Sequence, residues 1–284
     1  MTRLNGRMIQ EIRIGLLDTE RRLQDTIGMG LQSLAFKAAD LRPDSDVSKL
    51  TSSVVPVTSG QGVTPGFAHS VKEILEHVGI WAEVTSFTDV AGFAEAVNNG
   101  SDMIFMADDE QFVAHPLGTW TVVDNAECTA LGFVQALEEA AEGLRNKQVL
   151  VIGLGRVGMH AIPHIRSRGA SVLGLDIDPN TLLRARERYG IRCTLDSERA
   201  ISEADLIFHA SPSPVPGDLL RDGVIISAPG VPLAYDHKAR EKAAVIIHDM
   251  LPTGVAVMAA KACKSILSGL AVREYEEWGL QING

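Results

Sequence analysis

Val149-Leu150-Val151-Ile152-Gly153-Leu154-Gly155-Arg156-Val157-Gly158 is the stretch that decides the fold of this chain. Its first four residues are apolar and mostly β-branched, as a strand buried on both faces requires, and they run straight into a Gly-x-Gly-x-x-Gly loop. Each glycine has its own task. Gly153 allows the tight turn out of the strand, Gly155 lets the backbone approach a pyrophosphate, and Gly158 lets the following helix pack closely on the strand. A helix opening at that loop presents unsatisfied N–H groups and a positive dipole end to an anion. A second strand, Ser171-Val172-Leu173-Gly174-Leu175, ends in Asp176, about 20 residues past the glycines, where this dinucleotide-binding fingerprint places an acid. A carboxylate there accepts hydrogen bonds from an adenosine ribose and repels a 2′-phosphate, so NAD is expected rather than NADP. Cofactor contacts are assigned to Gly153, Leu154, Gly155, Arg156, Val157, Gly158, Asp176 and Ile177.

Strand and helix continue to alternate beyond Asp178. Residues 180–189 read as a helix, and the segments 191–193, 205–210, 223–227 and 245–247 read as strands. Parallel strands of one sheet open on a common edge, which puts the loops after 205–210 and 223–227 beside the nicotinamide half of the cofactor. His209, Ala210, Ser211, Pro212, Ala228 and Pro229 are therefore added to the cofactor set. The fold class is α/β: a Rossmann domain over 146–252, a parallel sheet with helices on both faces.

The N-terminal part is long enough to be a smaller domain of its own, 1–145. Met8, Ile9, Ile12, Leu16 and Leu23 recur at helical spacing, so 1–45 is expected to be helical. The span 50–127 alternates strand and helix, with strands near 53–57, 81–87 and 102–107, and reads as a small parallel α/β layer. Residues 128–144 are expected to connect the domains as a helix. A terminal helix over 253–284 is expected to pack back on the N-terminal domain.

Bulk properties narrow the partners. The 284-residue chain carries a formal net charge of -10, and its sequence pI is about 5.3. It has no basic footprint for nucleic acid or an anionic membrane. The start of the chain lacks a continuous apolar signal segment, and the tract near 255–272 is interrupted by Lys261 and Lys264, so a cytoplasmic protein is expected. Cys128, Cys193 and Cys263 show no CxxC spacing and suit neither a disulfide framework nor a structural zinc. A homodimer is expected only because closed two-fold dimers are the commonest soluble oligomers.

Chemistry-bearing residues outside the glycine loop are few. Val55-Pro56-Val57-Thr58-Ser59-Gly60-Gln61-Gly62 follows a strand and reads either as a substrate-binding turn or as a plain connection; no Gly-Lys-Ser/Thr completes a phosphate loop. Met106-Ala107-Asp108-Asp109 ends the next strand in paired acids, which suit a helix cap or an anchor for a cationic substrate group. His115, in Phe112-Val113-Ala114-His115-Pro116, is a candidate general base because imidazole titrates near neutral pH. His160 and His164 share one face of the helix after the glycine loop, but no third ligand stands at a related spacing, so no metal is expected. Pro163 between them predicts a distorted helix.

Taken together, 55–62, Met106-Ala107-Asp108-Asp109, Phe112-Val113-Ala114-His115, Cys128-Thr129 and 149–158 resemble, in that order, the dehydrogenase family of pyrrolysine biosynthesis, over a span from about 54 to the terminal helix. The resemblance implies NAD-dependent oxidation of the terminal amine of 3-methyl-D-ornithyl-N6-L-lysine, loss of ammonia and closure of the pyrroline ring to give L-pyrrolysine. It also implies substrate contacts at Ser59, Gly60, Asp108 and Asn125, the last where the stretch 118–123 departs from the family's pattern. An amine-rich substrate suits Asp108, while removal of its ammonium proton falls to Asp108, His115 or water. Another NAD-linked amino-acid or imino-acid dehydrogenase and a non-catalytic NAD-sensing subunit remain the alternatives, because one fold hosts many functions.

Overall fold

The computed structural model describes residues 6–233 and 235–282. The chain begins with α1 (Gly6–Ile27) and α2 (Leu31–Ala39), then alternates through β1 (Thr51–Pro56), α3 (Phe67–His77), β2 (Trp81–Val84), α4 (Asp89–Asn98), β3 (Met103–Ala107), β4 (Phe112–Pro116) and β5 (Val123–Asp124). The long α5 (Asn125–Ala140) leads to β6 (Gln148–Ile152), α6 (Arg156–Ser167), β7 (Ser171–Leu175), α7 (Pro179–Tyr189), β8 (Arg192–Thr194), α8 (Ser197–Ser202) and β9 (Leu206–His209). Last come β10 (Ile225–Ser227), α9 (His237–Lys242), β11 (Val245–Ile247) and α10 (Pro252–Ile282).

The C-terminal sheet has the order β11-β10-β9-β6-β7-β8, all parallel. Numbered from β6, that is 3-2-1-4-5-6 read from the β8 edge, the dinucleotide-binding order, and the strand order reverses between β6 and β9. The apolar run of β6 is buried throughout because it is a central strand: Val149 and Val151 enter the main core while Leu150 and Ile152 enter a smaller cluster on the opposite face. Capping explains how α7 starts and stops. The Asp178 carboxylate accepts from the N–H groups of Asn180 and Thr181, Pro179 opens the first turn, and Gly190 closes the helix at φ 63°. Helix α6 runs on through Pro163 as one element.

The N-terminal sheet has the order β2-β1-β3-β4-β5. Its first three strands are parallel, but β4 and β5 run antiparallel, so the layer is mixed rather than purely parallel. The cause is local. Asp108 N–H bonds the carbonyl of Gln111, while Asp108 Oδ1 accepts from the N–H groups of Glu110 and Gln111 at 2.8 and 2.7 Å. These bonds turn the chain back on itself, and the sequence supplies no helix where the acids suggested a cap.

Two helices join the layers. Helix α5 packs against α6 and the ends of β9, β10 and β11, and the Ser227 hydroxyl donates to the Phe133 carbonyl at 2.7 Å in the buried seam. It begins at Asn125, earlier than expected, because Asp124 caps it through the Glu127 N–H at 3.1 Å. Helix α10 lies against α2, α3, α5 and β4, on the N-terminal side, as expected. Its residues 252–260 are buried all round, which a helix surrounded by other elements permits and a surface helix does not. Glycines bring α5 and α10 together: a Cβ on Gly132 would stand 2.5 Å from Thr253, and one on Gly254 would stand 2.4 Å from the Thr129 hydroxyl. One hydrophobic core therefore runs through both layers, from Ile9 and Leu31 to Val149, Ile162 and Phe208. Among the described residues no helix is long and apolar enough to cross a membrane.

Candidate active site

A cavity of about 500 Å³ lies where the carboxyl ends of β1 and β3 face those of β9, β10 and β11. Its N-terminal wall is mostly apolar, with Val55, Val57, Val63 and Phe67 beside Phe105 and Phe112, and the acids Asp108 and Asp109 also line it. The Phe67 and Phe112 rings meet edge-on at 5.4 Å, which holds that wall in place. Arg156 and Val157 of α6, with Ala210, Pro212, Pro229 and Val231, form the opposite wall, while Asn125 and Thr129 of α5 and Met250 and Leu251 complete it.

The glycine loop has the geometry its residues imply. Gly153 sits at φ 83°, a conformation costly to other residues, and a Cβ there would stand 2.8 Å from the Ser211 Cβ. A Cβ on Gly158 would fall 1.9 Å from the Gly153 carbonyl oxygen, so only glycine lets α6 come this close. At Gly155 a Cβ would meet nothing within 4 Å, and α6 begins there without a side-chain cap. The first-turn N–H groups thus face open space, as a bound pyrophosphate needs. Asp176 accepts from the N–H of Leu154 at 2.7 Å and of Asp178 at 3.0 Å, which fixes its carboxylate beside the loop, with Ile177 91 % exposed next to it. Two N–H bonds leave further lone pairs on the two oxygens for ribose hydroxyls. The loop fits a dinucleotide.

Of the strand-end residues expected beside the nicotinamide, Ala210, Pro212 and Pro229 are in the cavity wall, whereas His209, Ser211 and Ala228 are not. His209 is buried behind it: its ring meets Tyr235 edge-on at 5.3 Å, and burial depresses its pKa to about 4. The reason is strand alternation, since Phe208 faces the main core and His209 the opposite side. Ala228 is likewise buried, with its carbonyl accepting from His248 Nδ1 at 2.7 Å. Ser211 supports the loop from below, packing on Gly153 and accepting the Ser213 N–H at 3.0 Å. Neither His209 Nε2 nor the Tyr235 hydroxyl has a hydrogen-bond partner among the described residues. Removing an unsatisfied buried hydroxyl is neutral to stabilising, so Tyr235→Phe should melt at the same temperature or higher; a drop of several degrees would reveal a partner such as a buried water.

The expected substrate residues divide in the same way. Asp108 and Asn125 line the cavity. Hydrogen bonds from Gln111 and Glu110 N–H, both to Oδ1, hold the Asp108 carboxyl below its ordinary pKa. Asn125 Nδ2 lies 3.2 Å from the Met258 sulfur. Ser59 and Gly60 are exposed in the turn after β1 and do not line the cavity, whereas Gly62, Val63 and Thr64 just beyond them do. That turn is held by two carboxylates. Thr58 donates through N–H and hydroxyl to Asp89 at 2.7 and 2.6 Å, and Gln61 N–H donates to Asp109 Oδ2 at 2.7 Å. Gly60 sits at φ 71°, which favours glycine, and a Cβ there would lie 2.2 Å from that same oxygen and displace the Asp109 side chain.

His115 falls outside the cavity wall. It alternates with Ala114, whose side chain enters the core, and its Nδ1 pairs with the Thr121 carbonyl at 2.9 Å. His160 and His164 lie near the Glu127–Lys261 ion pair, and burial lowers the pKa of His164. Among the described residues no group of three or more His, Cys, Asp or Glu is gathered as a metal ion would need.

Comparison with known proteins agrees with this geometry. Residues 8–123 match the N-terminal domain of pyrrolysine biosynthesis protein PylD, and residues 126–271 match the C-terminal domain of alanine dehydrogenase/PNT. Pyrrolysine synthase of Methanosarcina acetivorans is 35% identical over 209 residues, 72% of this chain and 79% of that protein. The chain belongs to the pyrrolysine synthase family. Solved structures share its fold: shikimate dehydrogenase from Aquifex aeolicus at TM-score 0.52 and 15% identity, covering 76% of this chain and 93% of that one. Quinate dehydrogenase from Corynebacterium glutamicum, solved in complex with NAD, has TM-score 0.50 and 13% identity over 77% of this chain and 99% of that one. In this member of the pyrrolysine synthase family the second half is thus a nicotinamide-cofactor dehydrogenase domain, joined to the family's own N-terminal domain.

One residue of this family member was missed in the sequence. Asp249, just past β11, is buried, and burial raises its pKa; its carboxylate accepts from the Thr253 N–H at 3.3 Å and the Thr253 hydroxyl at 2.5 Å. A second cavity of about 30 Å³, enough for a water molecule, lies among Asp249, Asn125, Thr129, Pro229 and Gly254 and shares Asn125, Thr129 and Pro229 with the large one. His248 beside it is depressed by burial. The signal was legible: Asp249 follows an apolar strand, the criterion that singled out His209.

Proposed function

We propose that this protein carries out the dehydrogenase step that forms pyrrolysine, oxidising the terminal amine of 3-methyl-D-ornithyl-N6-L-lysine. The observation that carries the reading is Asp108 in the lining of a largely apolar cavity of about 500 Å³ whose other wall includes Arg156 and Val157 of the glycine loop. NAD, preferred over NADP because of Asp176, supplies the hydride acceptor when bound. The Asp108 carboxylate holds an ammonium of the substrate by a charge-assisted bond. Valine and phenylalanine side chains pack the methylenes and the methyl branch and exclude water. The reacting amine must lose a proton before it can lose hydride, and Asp249, through the small cavity at Asn125 and Thr129, is the buried carboxyl placed to accept it. Two electrons then leave as hydride, water releases ammonia from the oxidised carbon, and the aldehyde condenses with the neighbouring α-amine, returning the water as the ring closes.

The deciding experiment adds synthetic 3-methylornithyl-N6-lysine with NAD or NADP, following reduced cofactor by absorbance and product by mass. Pyrrolysine with NAD is expected; neither reduced cofactor nor pyrrolysine would overturn the proposal, and faster oxidation of an ordinary amino acid would replace it. Asp108→Asn should lower kcat/KM at least about tenfold, since a hydrogen bond to a charged group contributes about 1.5–3 kcal/mol. NADH affinity should not change. Unaltered kinetics would remove Asp108 from the site.

A further inference from the structure

Arg156 stands in the glycine loop, yet its guanidinium is committed to the other layer. Nη2 donates to Asp124 Oδ2 at 2.7 Å, and Nη1 donates to the Glu110 carbonyl. Both acceptors lead directly to residues assigned to the substrate. Glu110 donates its N–H to Asp108 Oδ1 at 2.8 Å, so the peptide that receives Arg156 adjoins the one that holds the Asp108 carboxylate. Asp124 caps α5 through its other oxygen, with Glu127 N–H at 3.1 Å, and Asn125 is the first residue of that helix. The planar fork of arginine can hold two acceptors at once, which the point charge of a lysine does not reproduce.

We propose that Arg156 is a positioning residue that transmits occupancy of the glycine loop to the Asp108 turn and to Asn125, so that cofactor binding orders the substrate side of the cavity. A ligand that restrains the first turn of α6 restrains Arg156, and through it the β3–β4 turn and the start of α5. The coupling is reciprocal, as linkage requires: substrate held at Asp108 tightens the cofactor loop. Its consequence for catalysis rests on the assignment of Asp108 to the substrate, but its mechanical part does not.

The test uses the full chain with NADH alone. Amide exchange of Glu110 and Gln111 should slow about fivefold or more on NADH binding, the lower range of ordinary coupling between sites. In Asp124→Asn the helix cap survives, because asparagine caps as well as aspartate, but the ion pair is lost. There the NADH-induced protection should fall, because only the Glu110 carbonyl still holds Arg156, while NADH affinity stays within about threefold of the parent, a change worth well under one decade. Arg156→Gln should lose the same protection. With the pyrrolysine precursor, Asp124→Asn should raise KM about tenfold and leave kcat within about threefold, the pattern of lost positioning rather than lost chemistry. Protection that persists in both variants, or a parent turn that does not respond to NADH, overturns the proposal; so does a fall in kcat at unchanged KM. If the precursor is not turned over at all, the functional assignment fails, and the exchange result still decides the coupling.

Discussion

Asp249→Asn is expected to lower turnover about 10²- to 10⁴-fold, the usual contribution of a positioned general base, while NADH affinity holds. The same substitution should stabilise the fold at neutral and alkaline pH. Burial raises the Asp249 pKa, so the folded state favours the protonated carboxyl. A raised carboxyl pKa contributes stability that is complete below the unfolded value of about 3.9 and is lost as pH rises through the folded value. Asparagine is neutral at every pH, is nearly the same shape, and its carbonyl can accept from Thr253. Thermal melts across pH 4 to 9 should therefore fall with rising pH in the parent by more than in the variant, and steady-state kinetics should show the loss in kcat. A more stable, inactive variant fits a buried base; an active variant would leave Asp249 as a helix-start ligand for Thr253 alone.

Gly158→Ala should damage the protein as a whole. The added Cβ would stand 1.9 Å from the Gly153 carbonyl oxygen, a backbone atom that cannot turn aside, so α6 must move off the sheet. Overpacking of this kind costs about 1–3 kcal/mol, and the shift also misplaces the N–H groups meant for pyrophosphate. The expected result is a melting temperature lower by several degrees together with at least tenfold weaker NADH binding, read by thermal melt and fluorescence titration. Gly155→Ala is the control. Its Cβ meets no protein atom within 4 Å at an ordinary φ of -71°, so the fold should keep its stability while only the dinucleotide is hindered. Equal loss of stability in the two variants would contradict the separate roles of these glycines.

The elements that were legible in the sequence are those with a strong local cause. The β6 run, the glycines and the apolar repeat of α1 each determine their own geometry over a few residues, and the structure places them close to where they were expected. The antiparallel strands β4 and β5 were not read, because Phe112-Val113-Ala114-His115-Pro116 is short and its direction depends on a turn built from the backbone bonds of Asp108. The position of His115 was not legible for the same reason: with period two, its side chain belongs to whichever face Ala114 leaves, and only the sheet decides which face meets the cavity. His209 and Asp249 both end apolar strands and look alike in sequence, yet one packs on Tyr235 and the other borders the small cavity beside Asn125.

The sequence by itself determined the cofactor loop, since tight turns and close backbone approach are demands on single residues that only glycine meets, and it determined the acid at the strand end. The tertiary structure decided the substrate side. Asp108, Asn125 and Arg156 come from segments far apart in the chain, and their meeting at one cavity follows from how α5 and the β3–β4 turn pack against the glycine loop. Long-range packing of that kind leaves no local pattern, because the free energy that places those side chains resides in the buried core joining the two layers.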